Sequence, residues 1–220
     1  MINLNQLLLN FEFKQNFKDE DFYVSKSNYF AFNLIDTWPK WEKNFLNICG
    51  DNFSGKSHLA NIFLKKFKGI KISAHSLKSE NLQEIKVHEN IILENFDQNI
   101  DEVLIYSLFN IIDQDNKYLI INSTIPINEI NFKLDDLRSR TKNCLYAKIE
   151  KPDDELMFAL ILKNFSDRQI TIDKKLIDFI IKRIDRSYSK IFEFIYKIDE
   201  ISLKKKKSIN LNIIKETLKD

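Results

Sequence analysis

The chain has 220 residues, enough for one large domain or for a core with a smaller domain attached. Its 44% hydrophobic and 30% charged residues are the proportions of a soluble globular protein, and no apolar run approaches the roughly 18 residues that span a bilayer. A net charge of +2 makes no general case for nucleic-acid binding. The N-terminus lacks the basic start and apolar core of a secretion signal, so a cytoplasmic location is expected.

The first segment with a distinct character is Gln6-Leu7-Leu8-Leu9-Asn10-Phe11, a terminus rich in large apolar side chains. It reads either as a peptide offered to a partner or as an edge strand or first helix packed on the core. Residues 45–49 then read as a short apolar strand and residues 58–64 as a helix. Between them, Gly50-Asp51-Asn52-Phe53-Ser54-Gly55-Lys56-Ser57 fills every fixed place of the phosphate-loop pattern G-x-x-x-x-G-K-[ST]. Two of the chain's three glycines fall in that run, a spacing with little chance of arising by accident.

The chemistry accounts for those residue types. Glycines let the backbone curl so that successive N–H groups point at phosphate oxygens, and the following helix adds its partly positive N-terminus. The loop through His58 is therefore the candidate nucleotide site, with Lys56 reaching the outer phosphates and Ser57 ligating Mg²⁺. ADP or ATP is the expected ligand.

Further along, residues 70–74, 90–94, 118–122 and 144–149 read as strands, with helices or helical turns over 101–115 and 135–140. That alternation predicts an α/β core, a five-stranded parallel sheet covered on both faces. After Pro152 the pattern changes to helices only, over 153–165, 173–183, 187–204 and 211–219, which predicts a small all-α lid domain. Cys49 and Cys144 are too far apart for a zinc pattern and sit in apolar runs, so they read as reduced core thiols. The Lys204–Lys207 run reads as a solvated turn between helices, the alternative being a basic patch for phosphate or an acidic partner.

With those pieces in order, the chain resembles the AAA+ ATPases with their P-loop NTPase core, in the group around the bacterial replication initiator DnaA. Within that group it is most similar to the Hda family of DnaA-like regulators. The resemblance runs through Asp21-Phe22-Tyr23-Val24-Ser25, Leu34-Ile35-Asp36-Thr37-Trp38-Pro39, the phosphate loop, Leu137-Arg138-Ser139-Arg140-Thr141 and Asp167-Arg168-Gln169-Ile170. It implies three parts: a clamp-binding segment at 1–14, the nucleotide-binding core at 15–151 and the lid at 152–220. Gln6, Leu7, Leu9 and Phe11 resemble the short peptide that docks on the DNA polymerase III sliding clamp, its beta subunit. DnaA carries a helix-turn-helix domain beyond its lid, whereas this chain ends at Asp220 with the lid's last helix. Sequence-specific DNA binding is therefore not expected, nor is a membrane partner, and a homodimer stays open.

The same resemblance assigns catalytic parts. Glu94 stands where AAA+ proteins place the acid that organises Mg²⁺, and Asn95 stands where they place the water-activating acid. An amide cannot act as a general base, so slow hydrolysis by this chain alone is expected; Asp97 is a nearby carboxylate. Asn122 fits the first polar sensor, with Thr124 as competitor. Arg140 matches the arginine finger that acts in a neighbouring subunit's site, the alternative being a surface ion pair to Asp135 or Asp136. In the lid, Arg186 is the candidate for the second sensor, with Lys190 as another. Together these imply a regulator that binds the clamp and promotes hydrolysis of ATP on DnaA, inhibiting new rounds of DNA replication. The alternative is an autonomous ATPase of the clamp-loader or helicase-loader type.

Overall fold

Alternate side chains along the middle strands divide the interior in two. Ile91, Leu93, Leu119 and Ile121 belong to one apolar cluster, while Ile92 and Ile120 belong to the other. Such strands need cover on both faces, and helices supply it. The computed structural model describes residues 22–218, so the candidate clamp peptide Gln6–Phe11 lies outside the described residues.

The core runs α1 (Tyr29–Asp36), β1 (Phe45–Cys49), α2 (Lys56–Lys66), β2 (Gly69–Ser73), α3 (Ser79–Ile85), β3 (Asn90–Phe96) and α4 (Glu102–Gln114). It continues through β4 (Tyr118–Ser123), α5 (Asp135–Thr141) and β5 (Leu145–Lys148). The five strands form one parallel sheet in the order β2-β3-β4-β1-β5. Helices α1 and α2 cover one face through Ile35, Leu59 and Phe63. Helices α3, α4 and α5 cover the other through Ile85, Phe109 and Leu137.

The strands expected from sequence all appear, with ends shifted by one or two residues. Helices α1 and α3 lie where sequence periodicity gave no signal. Tyr29 and Phe30 at the start of α1 are exposed, at 59% and 55%, and α3 buries only Ile85, so neither shows a clean apolar stripe. One further departure matters for the site. The pairing of β3 with β4 shifts between Leu93 and Phe96, and Asn95 within that bulge has φ +56. Asparagine tolerates this left-handed conformation better than most residues.

The lid comprises α6 (Asp154–Asp167), α7 (Lys174–Ile181), α8 (Tyr188–Lys205) and α9 (Leu211–Thr217) around its own buried cluster, including Met157, Phe165, Ile195 and Ile214. The side chains of Asp153, Asp173 and Asn210 cap α6, α7 and α9 by accepting backbone N–H groups. Leu156 and Tyr188 leave the lid cluster and pack into the α1/α2 side of the core. The Tyr188 hydroxyl donates to the Glu150 carbonyl at 2.9 Å, fastening the start of α8 to the strand-to-lid connection. No helix among the described residues is long and apolar enough to cross a membrane.

Candidate functional site

A parallel sheet sends the exits of all its strands to one edge, and this edge holds a cavity of about 840 Å³ between core and lid. The loop after β1, the end of β3 and the end of β4 form its core wall. Helices α6 and α8 supply the lid wall through Leu156, Leu160, Tyr188 and Phe192.

Loop geometry follows from two glycines. Gly55, the N-cap of α2, has φ +98, and a Cβ there would meet the Phe22 ring at 3.1 Å. At Gly50 a Cβ would stand 2.9 Å from Ser54 Oγ and 3.0 Å from the Ile149 carbonyl. Among the described residues no side chain caps α2, so its first N–H groups remain available to an anion. Lys56 Nζ donates to the carbonyls of Gly50 at 2.7 Å and Asp51 at 2.8 Å, folding the ammonium across the loop. Burial lowers the Lys56 pKa from its ordinary value, with Glu94 partly opposing that shift. A partly desolvated cation whose hydrogen bonds, among the described residues, go to backbone carbonyls gains strongly from an anion placed beside it.

Ser57 Oγ donates to Glu94 Oε2 at 3.0 Å, which brings together the two residues expected to hold a metal. The other carboxylate oxygen, Glu94 Oε1, is buried and makes no hydrogen bond among the described residues. Ser54 Oγ and both amide atoms of Asn122 are in the same condition, and all three residues line the cavity. Buried polar groups are seldom left without partners, and those that are call for a ligand or ordered water. The hydroxyl–carboxylate pair suits a hard cation such as Mg²⁺. Among the described residues no cluster of three or more His, Cys, Asp or Glu exists for metal binding. Phosphate oxygens and water would have to complete the shell, which is the usual mode for Mg²⁺.

Asn95 is exposed at the bulge and lines the cavity, as do Asp97 and His58. Asp97 Oδ2 lies 3.1 Å from His75 Nε2, and its Oδ1 accepts the Asn99 N–H at 2.7 Å. Both contacts hold the Asp97 side chain in place at the cavity wall. Between the two first-sensor candidates, Asn122 is buried with an unused amide, whereas Thr124 is exposed at the rim.

Two expected residues are not brought to this cavity. Arg186 is exposed and pairs with Asp154 at 2.8 Å, and Lys190 pairs with Glu193 at 2.9 Å on the lid surface. The start of α8 is turned inward through Tyr188, and these cations consequently face solvent. The lid cation that does line the cavity is Lys163 on α6, 3.0 Å from Asp167. Arg140 stands at the other end of the sheet, beside Asn44 and Phe45 where β1 begins, at a cleft of about 260 Å³. Its Nη1 is 2.5 Å from Asp113 Oδ2, and its guanidinium lies 5.3 Å from the centre of the Tyr106 ring. Arg138 takes the pairing with Asp135. An arginine so placed does not reach its own chain's phosphate loop.

Sequence reasoning missed the lid wall and Phe22, Tyr23 and Asn28, which also line the cavity. Residues 156, 160, 163, 164 and 167 recur at helical spacing, a signal indistinguishable from an ordinary amphipathic face until the lid is docked.

Residues 153–218 match the family model described as Hda, lid domain. The chain is 26% identical over 227 aligned residues to the chromosomal replication initiator protein DnaA of Caldanaerobacter subterraneus subsp. tengcongensis, covering 91% of this chain and 51% of that protein. It thus spans about half the length of the curated relatives it matches. Domain III of the Thermotoga maritima replication initiation protein DnaA superposes with a TM-score of 0.74 at 20% identity, over 93% of this chain and 96% of that one. DnaA from Aquifex aeolicus bound to AMPPCP superposes with a TM-score of 0.66 at 20% identity, over 82% of this chain and 64% of that one. With a parallel sheet in the order β2-β3-β4-β1-β5, a phosphate loop after β1 and a lid that matches the Hda lid model, the chain has the fold of DnaA domain III and is similar in sequence to DnaA.

Proposed function

We propose that this protein is a nucleotide-bound regulator of replication initiation that acts on DnaA. The observation that carries the nucleotide part is the group of buried, unpartnered polar atoms at Ser54, Glu94 and Asn122, facing one cavity beneath an uncapped helix. ADP or ATP would place its phosphates on the amides of residues 50–58 and against Lys56. Ser57 and Glu94 would hold Mg²⁺, Asn122 would touch the outer phosphate, and the base would lie toward the lid.

The regulatory part is supported by the match of the lid to the Hda family and by Asn95, which offers no general base for hydrolysis in this chain's own site. Arg140 would act in trans, entering the ATP site of DnaA to stabilise charge on the transferred phosphoryl group. Its place at the far end of the sheet from its own loop, in an exposed ion pair that solvent weakens, suits that role. Residues 1–14 would bind the sliding clamp through Gln6, Leu7, Leu9 and Phe11, with 15–151 as the core and 152–220 as the lid. Binding to a specific DNA sequence forms no part of this reading. Arg186 would contribute only after leaving Asp154.

The test is hydrolysis of DnaA-bound ATP with clamp-loaded DNA, comparing the intact chain with Gln6→Ala and Arg140→Ala. Stimulation should fall on the order of 10³-fold without the finger, and the Gln6 variant should lose its dependence on the clamp. Full stimulation by both variants would remove the regulatory reading. Rapid sustained hydrolysis by the isolated chain would favour the autonomous ATPase instead.

A further inference from the structure

Phe53 sits in the phosphate loop with φ +65, a conformation seldom adopted by a residue carrying a bulky side chain. It is also 57% exposed, so burial does not account for a phenylalanine there. Its ring contacts Phe192 of α8, with centroids 5.5 Å apart and planes inclined by 47°. Both side chains line the cavity, one from the core wall and one from the lid wall. Phe192 stands outside the buried cluster of the lid, which is built from Met157, Phe165, Ile195 and their neighbours. Among the described residues, the ring pair that these two phenylalanines make is therefore one across the cavity, from the core wall to the lid wall.

Backbone strain of this kind persists where surrounding contacts hold it, and it concentrates at ligand clamps. We propose that Phe53 and Phe192 form a latch that ties the lid to the phosphate loop and sets how fast a bound nucleotide leaves. A ligand lodged between loop and lid is released when those two walls part, and parting them separates the rings. The latch also makes lid position depend on loop conformation, because the Phe53 ring is aimed by the same backbone that would hold phosphate. This rests on the nucleotide reading given above and adds to it a pair of residues that control release.

The experiment is displacement of a fluorescent ADP analogue by excess ADP in a stopped-flow instrument. The intact chain is compared with Phe53→Gly, Phe192→Ala, Phe192→Leu and the Phe53→Gly/Phe192→Ala double variant. Each of Phe53→Gly and Phe192→Ala should release the analogue about threefold to tenfold faster, the range expected for losing an aromatic pair. The double variant should be no faster than the faster single one, because both changes remove the same contact. Phe192→Leu, which keeps an apolar group of similar reach, should fall between, and it covers the case of an Ala variant that does not fold. Release at the intact chain's rate in Phe53→Gly and Phe192→Leu, or multiplying effects in the double variant, would overturn the latch while leaving nucleotide binding standing. An intact chain that binds no analogue at all would overturn the nucleotide reading and the latch with it.

Discussion

Ser57 on the first turn of α2 and Glu94 near the end of β3 are joined by a 3.0 Å hydrogen bond between hydroxyl and carboxylate. The two residues are distant in sequence: Glu94 lies on β3, and Ser57 follows the loop after β1, the strands on either side of β4. The sheet order turns two separate motifs into one oxygen-rich corner.

Replacing the carboxylate tests what that corner holds. Glu94→Gln keeps the shape and a hydrogen-bonding partner for Ser57 but removes the charge. Titration calorimetry with ATP in Mg²⁺ and in EDTA should show metal-assisted binding in the intact chain and a loss of about tenfold or more of that assistance in the variant. Equal metal dependence in both would exclude Glu94 as a metal-organising residue.

Loop geometry gives a stability prediction. Gly55→Ala places a Cβ at φ +98 and 3.1 Å from the Phe22 ring. The left-handed conformation alone costs an alanine about 1–2 kcal/mol, and the crowded ring adds to that. Urea unfolding should record the loss even without nucleotide. An unchanged midpoint would mean that the loop relaxes to a conformation other than this one.

The lid attachment responds to alkaline pH. Burial pushes the Tyr188 phenol up to about 12, against an ordinary value of about 10. The neutral hydroxyl, which donates to Glu150, is the form the fold favours. Its contribution is thus complete below the unfolded-state value and is lost as pH rises through about 12. Tyr188→Phe should cost about 1 kcal/mol at neutral pH. The gap between intact and variant stability should narrow as denaturation is followed from pH 9 upward, and a gap independent of pH would contradict the buried hydrogen bond.

Thiol chemistry offers a check on core packing. Burial pushes Cys144 up to about 12 and raises Cys49 as well, whose Sγ lies 3.0 Å from the Tyr146 hydroxyl. Neither thiol should react readily with Ellman's reagent at pH 8, and both of the chain's two cysteines should react once guanidinium unfolds it. A fast native reaction at one of them would show that its surroundings are more open than described.

Much of this protein was determined within short stretches of its sequence. The phosphate loop is legible because its pattern lies within one short run, with Gly55 where φ is +98 and Lys56 and Ser57 at fixed offsets. The strands β1, β3 and β4 are legible because each is an apolar run buried on both faces, and two of the lid helices because Asp173 and Asn210 announce their starts. Docking of the lid decided the rest. Tyr188 and Leu156 bury themselves against the core, and that burial carries Phe192 to Phe53 while leaving Arg186 beside Asp154 and away from the cavity. Arg140 paired with Asp113 because α5 packs beside α4, a neighbour that the spacing of charges along the chain does not reveal. Local chemistry fixes what a segment can do; which segments meet is set by the non-local burial of apolar faces, and that is settled only when the whole chain has folded.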